Sequence, residues 1–239
     1  MNAPPPPPRY VAIAEALRAR ILAGDWPPGH PIPTEASLMA EFGCSRMTVY
    51  RALWGLAEAG LITRRRRAGS HVAAPRREEA VFGIHDIEAE IARSGAPYRY
   101  ERLSRVLRPA GRAERARLGL SRPAEVLALG ARHFAGPRAF VLEDRLIHLA
   151  AVPAARSESF ATVPPGRWLL SHVPWNEAEH RISAEPAGAF EAAALAIPRG
   201  APLLVLARRT WSGEVPVTAV RLCYPGPDYA LVGRFRPGG

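Results

Sequence analysis

Apolar positions in the first third of the chain recur at helical spacing. Ile13, Ala16, Leu17 and Ile21 share one face, and Gly24 closes the helix. The stretch from Asp25 to Pro33 is crowded with Pro and Gly and reads as a connector. Thr34 is placed to cap a second, short helix that buries Leu38, Met39 and Phe42; Phe42-Gly43-Cys44 then makes a tight turn, and Ser45 caps a third helix. In that third helix Val49, Ala52, Leu53 and Leu56 fall together, leaving Met47, Arg51 and Trp54 opposite and Arg46 and Tyr50 on a flank. A strand from Leu61 to Thr63, four arginines at 64–67, a turn through Ala68-Gly69 and a strand from Ser70 to Ala73 predict a two-stranded wing with a charged tip. Residues 1–8 are Pro-rich and read as a disordered or polyproline tail.

Beyond a charged linker at 76–82 the pattern becomes mixed. Ile84, Ile87 and Ile91 have helical spacing, Tyr98 to Leu107 alternates, and Ala113 to Leu118 suits a short helix. Val126–Phe134 and Phe140–Ile147 predict paired strands turned at Gly136-Pro137; Leu203–Trp211 and Val215–Tyr224 predict a hairpin around Ser212-Gly213-Glu214. Phe190 to Ala196 reads as helix and Tyr229 to Phe235 as a last strand. The expected architecture is α+β: a winged helix-turn-helix over 9–75, then a domain over 83–239 with a largely antiparallel sheet.

Composition narrows the function classes. The chain has 239 residues, of which 48% are hydrophobic and 23% charged, and no apolar run long enough to span a bilayer; with no secretory signal at its start, a cytoplasmic protein is expected. Its net charge of +10 is concentrated at the front: residues 1–77 hold 11 Arg against 5 acidic residues, whereas 78–239 hold 21 against 17. A basic amino-terminal part suits a polyanionic partner, and double-stranded DNA fits the helix-turn-helix spacing. A recognition helix offers its first residues to base edges, so contacts are expected from Ser45, Arg46, Met47, Thr48 and Tyr50. The only two cysteines, Cys44 and Cys223, suit reduced thiols. No phosphate-cradling glycine loop, zinc-spaced Cys pair or nucleophile elbow occurs, and His172 and His180 lie in a polar segment that reads as loop or strand; neither catalytic residues, metal nor cofactor is expected.

The ordered set Gly24-Asp25-Trp26-Pro27-Pro28-Gly29, Ile32-Pro33-Thr34-Glu35, Phe42-Gly43-Cys44-Ser45-Arg46-Met47-Thr48-Val49 and Gly60-Leu61-Ile62 resembles the winged helix-turn-helix of GntR-type repressors. The resemblance implies DNA contacts from Thr34, Ser45, Arg46, Thr48 and Tyr50 and from wing residues Arg66, Arg67 and Gly69. Two departures stand out: Ala36 occupies a position where many relatives carry arginine, and the wing reads Gly69-Ser70-His71-Val72 where Gly-Thr-Phe-Val is usual.

The second domain resembles the UTRA effector-binding module, of chorismate-lyase fold, in the HutC branch of that family, the histidine-utilisation repressors. The likeness lies in Phe140–Arg145, in Val173–Ala184, and in Arg208-Arg209-Thr210-Trp211 through Val220-Arg221-Leu222. It implies a dimeric repressor of histidine-degradation genes, released from its operator by a small molecule, urocanate. By family position the effector contacts fall at Arg132, Glu143, Trp168, Thr218 and Tyr224. Urocanate joins an imidazole to a carboxylate, so it needs a cation such as Arg132 or Arg181, a hydrogen-bonding partner such as Glu143, and an aromatic wall. The rival expectations are a repressor sensing another metabolite such as a phosphosugar, an enzyme of chorismate-lyase type, and a basic nucleoid protein. Thr218 bears on the first, since many sugar-sensing relatives carry glutamate there.

Overall fold

The computed structural model describes residues 8–65, 69–73 and 86–231. The amino-terminal unit contains three helices, α1 (Arg9–Ala23), α2 (Glu35–Phe42) and α3 (Arg46–Glu58), and a two-stranded sheet of β1 (Ile62–Arg65) and β2 (Gly69–Val72). Each helix begins and ends as its local chemistry dictates. Thr34 and Ser45 cap α2 and α3 by accepting from the backbone N–H of Ser37 and Thr48, and Gly24 and Gly43 close α1 and α2 in the left-handed region. Ile13, Leu17 and Ile21 of α1 interlock with Leu38, Val49, Leu53 and Leu56. Each such side chain, fully buried, contributes about 1.5–3 kcal/mol. The wing pairs antiparallel with Ile62 opposite Val72 and Arg65 opposite Gly69, and a bridge from Pro31 to His71 ties the connector to it. The first strand thus runs further into the arginine run than the sequence predicts.

The carboxy-terminal unit is built on one six-stranded antiparallel sheet in the order β3-β4-β5-β8-β7-β6. Its strands are β3 (Tyr98–Pro109), β4 (Glu125–Ala135), β5 (Arg138–His148), β6 (Glu177–Pro186), β7 (Pro202–Ser212) and β8 (Val215–Pro225). The helices are α4 (Ile87–Arg93), α5 (Arg112–Leu118), α6 (Pro165–His172) and α7 (Ala189–Leu195). One face of the sheet, carrying Leu127, Leu129, Ile147 and Val217, is covered by α6 and a 3-10 turn at Pro153–Arg156. The other packs α5 through Leu118 and α7 through Ala192, Ala194 and Leu195.

Two elements depart from the sequence reading. Neither α6 nor β6 is predicted: α6 has only eight residues, and β6 is an edge strand whose Glu-Ala-Glu-His-Arg start shows no apolar alternation and which exists by pairing with β7. A last strand from Tyr229 is not formed at 229–231; Tyr229 instead stacks on Tyr224 with ring centres 3.8 Å apart, and the rest of that expected strand lies outside the described residues. The expected linker at 76–82 and Ile84 also lie outside them.

The two units touch. Leu22 of α1 joins the cluster under α6, and the Arg18 guanidinium donates to the Ser212 carbonyl oxygen at 2.5 Å. Asn176 Oδ1 accepts from the Gly213 N–H at 2.9 Å, and its side chain lies against Gly60, where an added Cβ would come within 2.7 Å of the Asn176 Cβ. Gly60 also has φ +69°, so both its turn and this close approach require glycine.

Candidate nucleic-acid interface and effector cavity

The outer surface of α3 has the composition of a groove-reading face. Met47 is 60% exposed and Trp54 49%, whereas Val49, Ala52 and Leu53 are sealed inside. The Ser45 and Thr48 hydroxyls lie 2.9 Å apart at the amino-terminal end of α3, where free N–H groups and the positive end of the helix dipole favour phosphate. Glu35 organises the cations around it, accepting from Arg46 Nε at 3.0 Å and from an Arg64 terminal nitrogen at 3.2 Å. Arg64 also lies 4.9 Å from the centre of the Tyr50 ring, which tilts against Trp54. Arg9 closes the turn by donating to the Phe42 and Gly43 carbonyl oxygens at 2.9 and 2.8 Å, and it lines a shallow groove with Gly43, Ser45 and Thr48.

The structure therefore groups Ser45 with Thr48 beside Arg9, and Arg46 with Tyr50 through Glu35 and Arg64, with Met47 exposed on the same first turns of α3. Thr34 caps the helix behind it, Gly69 opens β2 at φ +82°, and Arg66 and Arg67 lie outside the described residues. Sequence reasoning did not single out Arg9 or Arg64. Arg9 abuts the proline tail and belongs to no periodic pattern, while Arg64 was one of four equivalent arginines until Glu35 and Tyr50 distinguished it.

On the α6-covered face of the sheet two small adjoining hollows, of about 30 and 20 Å³, share Arg145, Gly166, Leu170 and Arg208. A buried polar chain runs along one wall. Tyr98 O–H lies 2.9 Å from His133 Nδ1, and His133 Nε2 lies 2.8 Å from Glu143, which accepts from Arg145 Nε at 2.5 Å. Arg145 reaches Thr218 Oγ1 at 3.5 Å, and Thr218 donates to the Leu146 carbonyl oxygen. Burial alone would raise the Glu143 carboxyl pKa, but Arg145 and His133 more than offset it and hold the group well below the usual carboxylate range. Glu143 is thus an anion that only accepts, so His133 Nε2 carries the proton toward it, and in the neutral tautomer Nδ1 accepts from Tyr98. Burial pushes the Tyr98 hydroxyl upward, so it remains a protonated donor.

Glu143 and Thr218 line these hollows, and the guanidiniums beside them are Arg145 and Arg208. Arg132 pairs across to Leu142, one residue out of phase with Glu143, and projects from the opposite face, where it binds Glu101 at 2.9 Å and the Ala194 carbonyl oxygen at 3.0 Å. Arg181 pairs with Ala207, out of phase with Arg208, and is exposed. Trp168 sits in the apolar layer of α6, stacked on His172 at 4.5 Å and edge-on to Phe160. His172 Nδ1 meets the Trp168 carbonyl oxygen. Tyr224 packs between Phe140 and Tyr229 beyond the hollows. Among the described residues the aromatic rings on the walls of the hollows are Trp175 in one and Tyr98 and His133 in the other.

Comparison with known proteins agrees with both halves. Residues 9–72 match the gntR family of bacterial regulatory proteins, and residues 93–230 match the UTRA domain. The histidine utilization repressor of Pseudomonas aeruginosa is 35% identical over 230 residues, covering 96% of this chain and 92% of that protein. The crystal structure of the C-terminal domain of histidine utilization repressor from Pseudomonas syringae is 31% identical, with a TM-score of 0.55 over 59% of this chain and 99% of that one. PhnF from Mycobacterium smegmatis, 22% identical with a TM-score of 0.59 over 94% of this chain and 99% of its own, shares the fold. These relatives are regulators of transcription, which sets the lyase expectation aside. No helix among the described residues is long and apolar enough to cross a membrane.

Proposed function

We propose, from the premise that this chain belongs to the gntR family of bacterial regulatory proteins and carries a UTRA domain, that it represses histidine-utilisation genes and leaves its operator when urocanate fills the cavity beneath α6. The observation that carries this reading is the 35% identity to a histidine utilization repressor along 96% of the chain. The lining supports it chemically: two guanidiniums, a Glu143–His133 pair and the Trp175 ring suit a small aromatic acid, which has to widen the two small hollows as it enters. The protein acts in the cytoplasm as a homodimer, each subunit presenting α3 and the wing, with Arg66, Arg67 and Gly69, to one half of a two-fold symmetric operator.

Release needs an effector that binds one conformation better than the other, since equal affinity shifts nothing. The contact between units offers a lever. Trp175 lines the cavity, and the next residue, Asn176, lies against Gly60 between α3 and the wing. A ligand that moves the Trp175 wall moves the support of the DNA-reading elements.

The test is a gel-shift titration of the operator complex with urocanate, histidine and glucosamine 6-phosphate. Release by urocanate alone supports the reading. Release by glucosamine 6-phosphate alone would establish a sugar-phosphate sensor in its place.

A further inference from the structure

Among the described residues Arg208 is a buried charge with no hydrogen-bond or ion-pair partner. It rises from β7 opposite Val220, is 7% exposed, and lines both hollows. Burial, and then the neighbouring Arg145, push its pKa down to about 10, so it stays cationic at neutral pH. An unpaired buried charge is costly enough that native structures rarely keep one without a use. A second unmet donor lines the same hollow: the indole N–H of Trp175 is buried without an acceptor among the described residues. Arg145 is differently placed, already committed to Glu143 and Thr218. Gly166 at the start of α6 leaves room for Arg145; a Cβ there would stand 3.2 Å from an Arg145 terminal nitrogen.

The charges in this layer do not cancel. Arg145 and Arg208 face one carboxylate, Glu143, while at the rim Asp86 caps α4 and Arg167 is paired with Glu88. Among the described residues the inner cavity is therefore short of one negative charge. We propose that Arg208, aided by the Trp175 indole N–H, receives the acid group of a compact monocarboxylate effector and so selects acids over their neutral analogues and over doubly charged phosphate esters. The proposal rests on the reading that this cavity takes the effector, and it names Arg208 as the specificity-determining residue in place of Arg132 and Arg181.

The test is calorimetric titration of the full chain with urocanate, urocanamide, histidine and glucosamine 6-phosphate, for the wild type, Arg208→Gln, Arg208→Lys and Arg181→Gln. Charge-assisted hydrogen bonds of this kind set the expected scale, at least about tenfold in affinity. Urocanate should bind at least about tenfold more tightly than its amide. Arg208→Gln should erase that preference while leaving amide affinity within about threefold, Arg208→Lys should keep part of it, and Arg181→Gln should change nothing. The apo Tm of Arg208→Gln should not fall, because an unpaired charge has been removed. Equal binding of acid and amide by the wild type, an acid affinity that survives Arg208→Gln within about threefold, or no binding by any of the four compounds overturns the proposal. Binding of histidine but not urocanate, still dependent on Arg208, would remove the urocanate reading and leave the Arg208 assignment standing. Arg208-independent binding of glucosamine 6-phosphate alone would remove both.

Discussion

Replacing Glu143 by Gln keeps the side chain's shape and deletes the one inner carboxylate facing Arg145 and Arg208. Both Glu143 and Arg145 are sealed, at 1% and 2% exposed, and their contact is 2.5 Å. At an effective dielectric of about 20, unit charges about 4 Å apart attract by roughly 4 kcal/mol. Removing one member of a buried pair typically costs about 3–5 kcal/mol, because the other is left uncompensated. For a domain of this size about 2–4 °C accompanies each kcal/mol, so a drop of roughly 6–20 °C in the effector-domain Tm is expected. Scanning calorimetry at pH 7 measures it, with circular dichroism confirming that the folded baseline is retained. The pH dependence follows from the depressed carboxyl: its folded pKa lies below the ordinary 4.5, so its stabilisation is fully present above that value and is lost as pH falls through the folded pKa. The gap between wild type and variant should be constant between about pH 5 and 8 and close in more acid solution. Glu143→Gln/Arg145→Met should be less destabilised than the sum of its single variants, since the two groups act as a unit. A loss below about 1 kcal/mol, or strict additivity in the double variant, would refute the claim that Glu143 is the counter-ion holding this layer together.

Arg46 is 79% exposed at its side chain and, among the described residues, is ion-paired with Glu35, so Arg46→Ala should leave Tm nearly unchanged while weakening operator binding by about 1–3 kcal/mol. Fluorescence anisotropy against operator and scrambled duplexes separates loss of base reading, which affects the operator alone, from loss of a phosphate contact, which affects both. Asn176→Ala removes the acceptor for the Gly213 N–H and the amide group beside Gly60, while keeping the Cβ that packs against that glycine. It should leave urocanate affinity close to that of the wild type but shrink, by severalfold, the ratio of operator affinities without and with urocanate; an unchanged ratio would show that release travels by another route.

Local chemistry written in single residues was legible without coordinates. Thr34 and Ser45 as caps, Gly24 and Gly43 as stops, and the buried stripe of Val49, Ala52, Leu53 and Leu56 depend on neighbours within one or two helical turns, so periodicity and side-chain type were sufficient. The β4–β5 and β7–β8 hairpins were equally readable from alternation around a glycine turn. What remained hidden depends on partners distant in the chain. Strand β6 takes its form from β7, and Arg9 finds its carbonyls more than thirty residues away. The cavity's charge is the clearest case. As letters, Arg132, Arg145, Arg181 and Arg208 are equivalent cations on strands; register alone assigns Arg145 and Arg208 to the face under α6 and leaves Arg132 and Arg181 on the other. Because successive strand residues point to opposite faces, a single step of pairing decides which guanidinium faces the hollows. The sequence by itself determined that this is a winged-helix reader joined to a sensing sheet. Which side chains face the hollow, and that Arg208 waits there unpaired among the described residues, were decided by the packing of that sheet against α6.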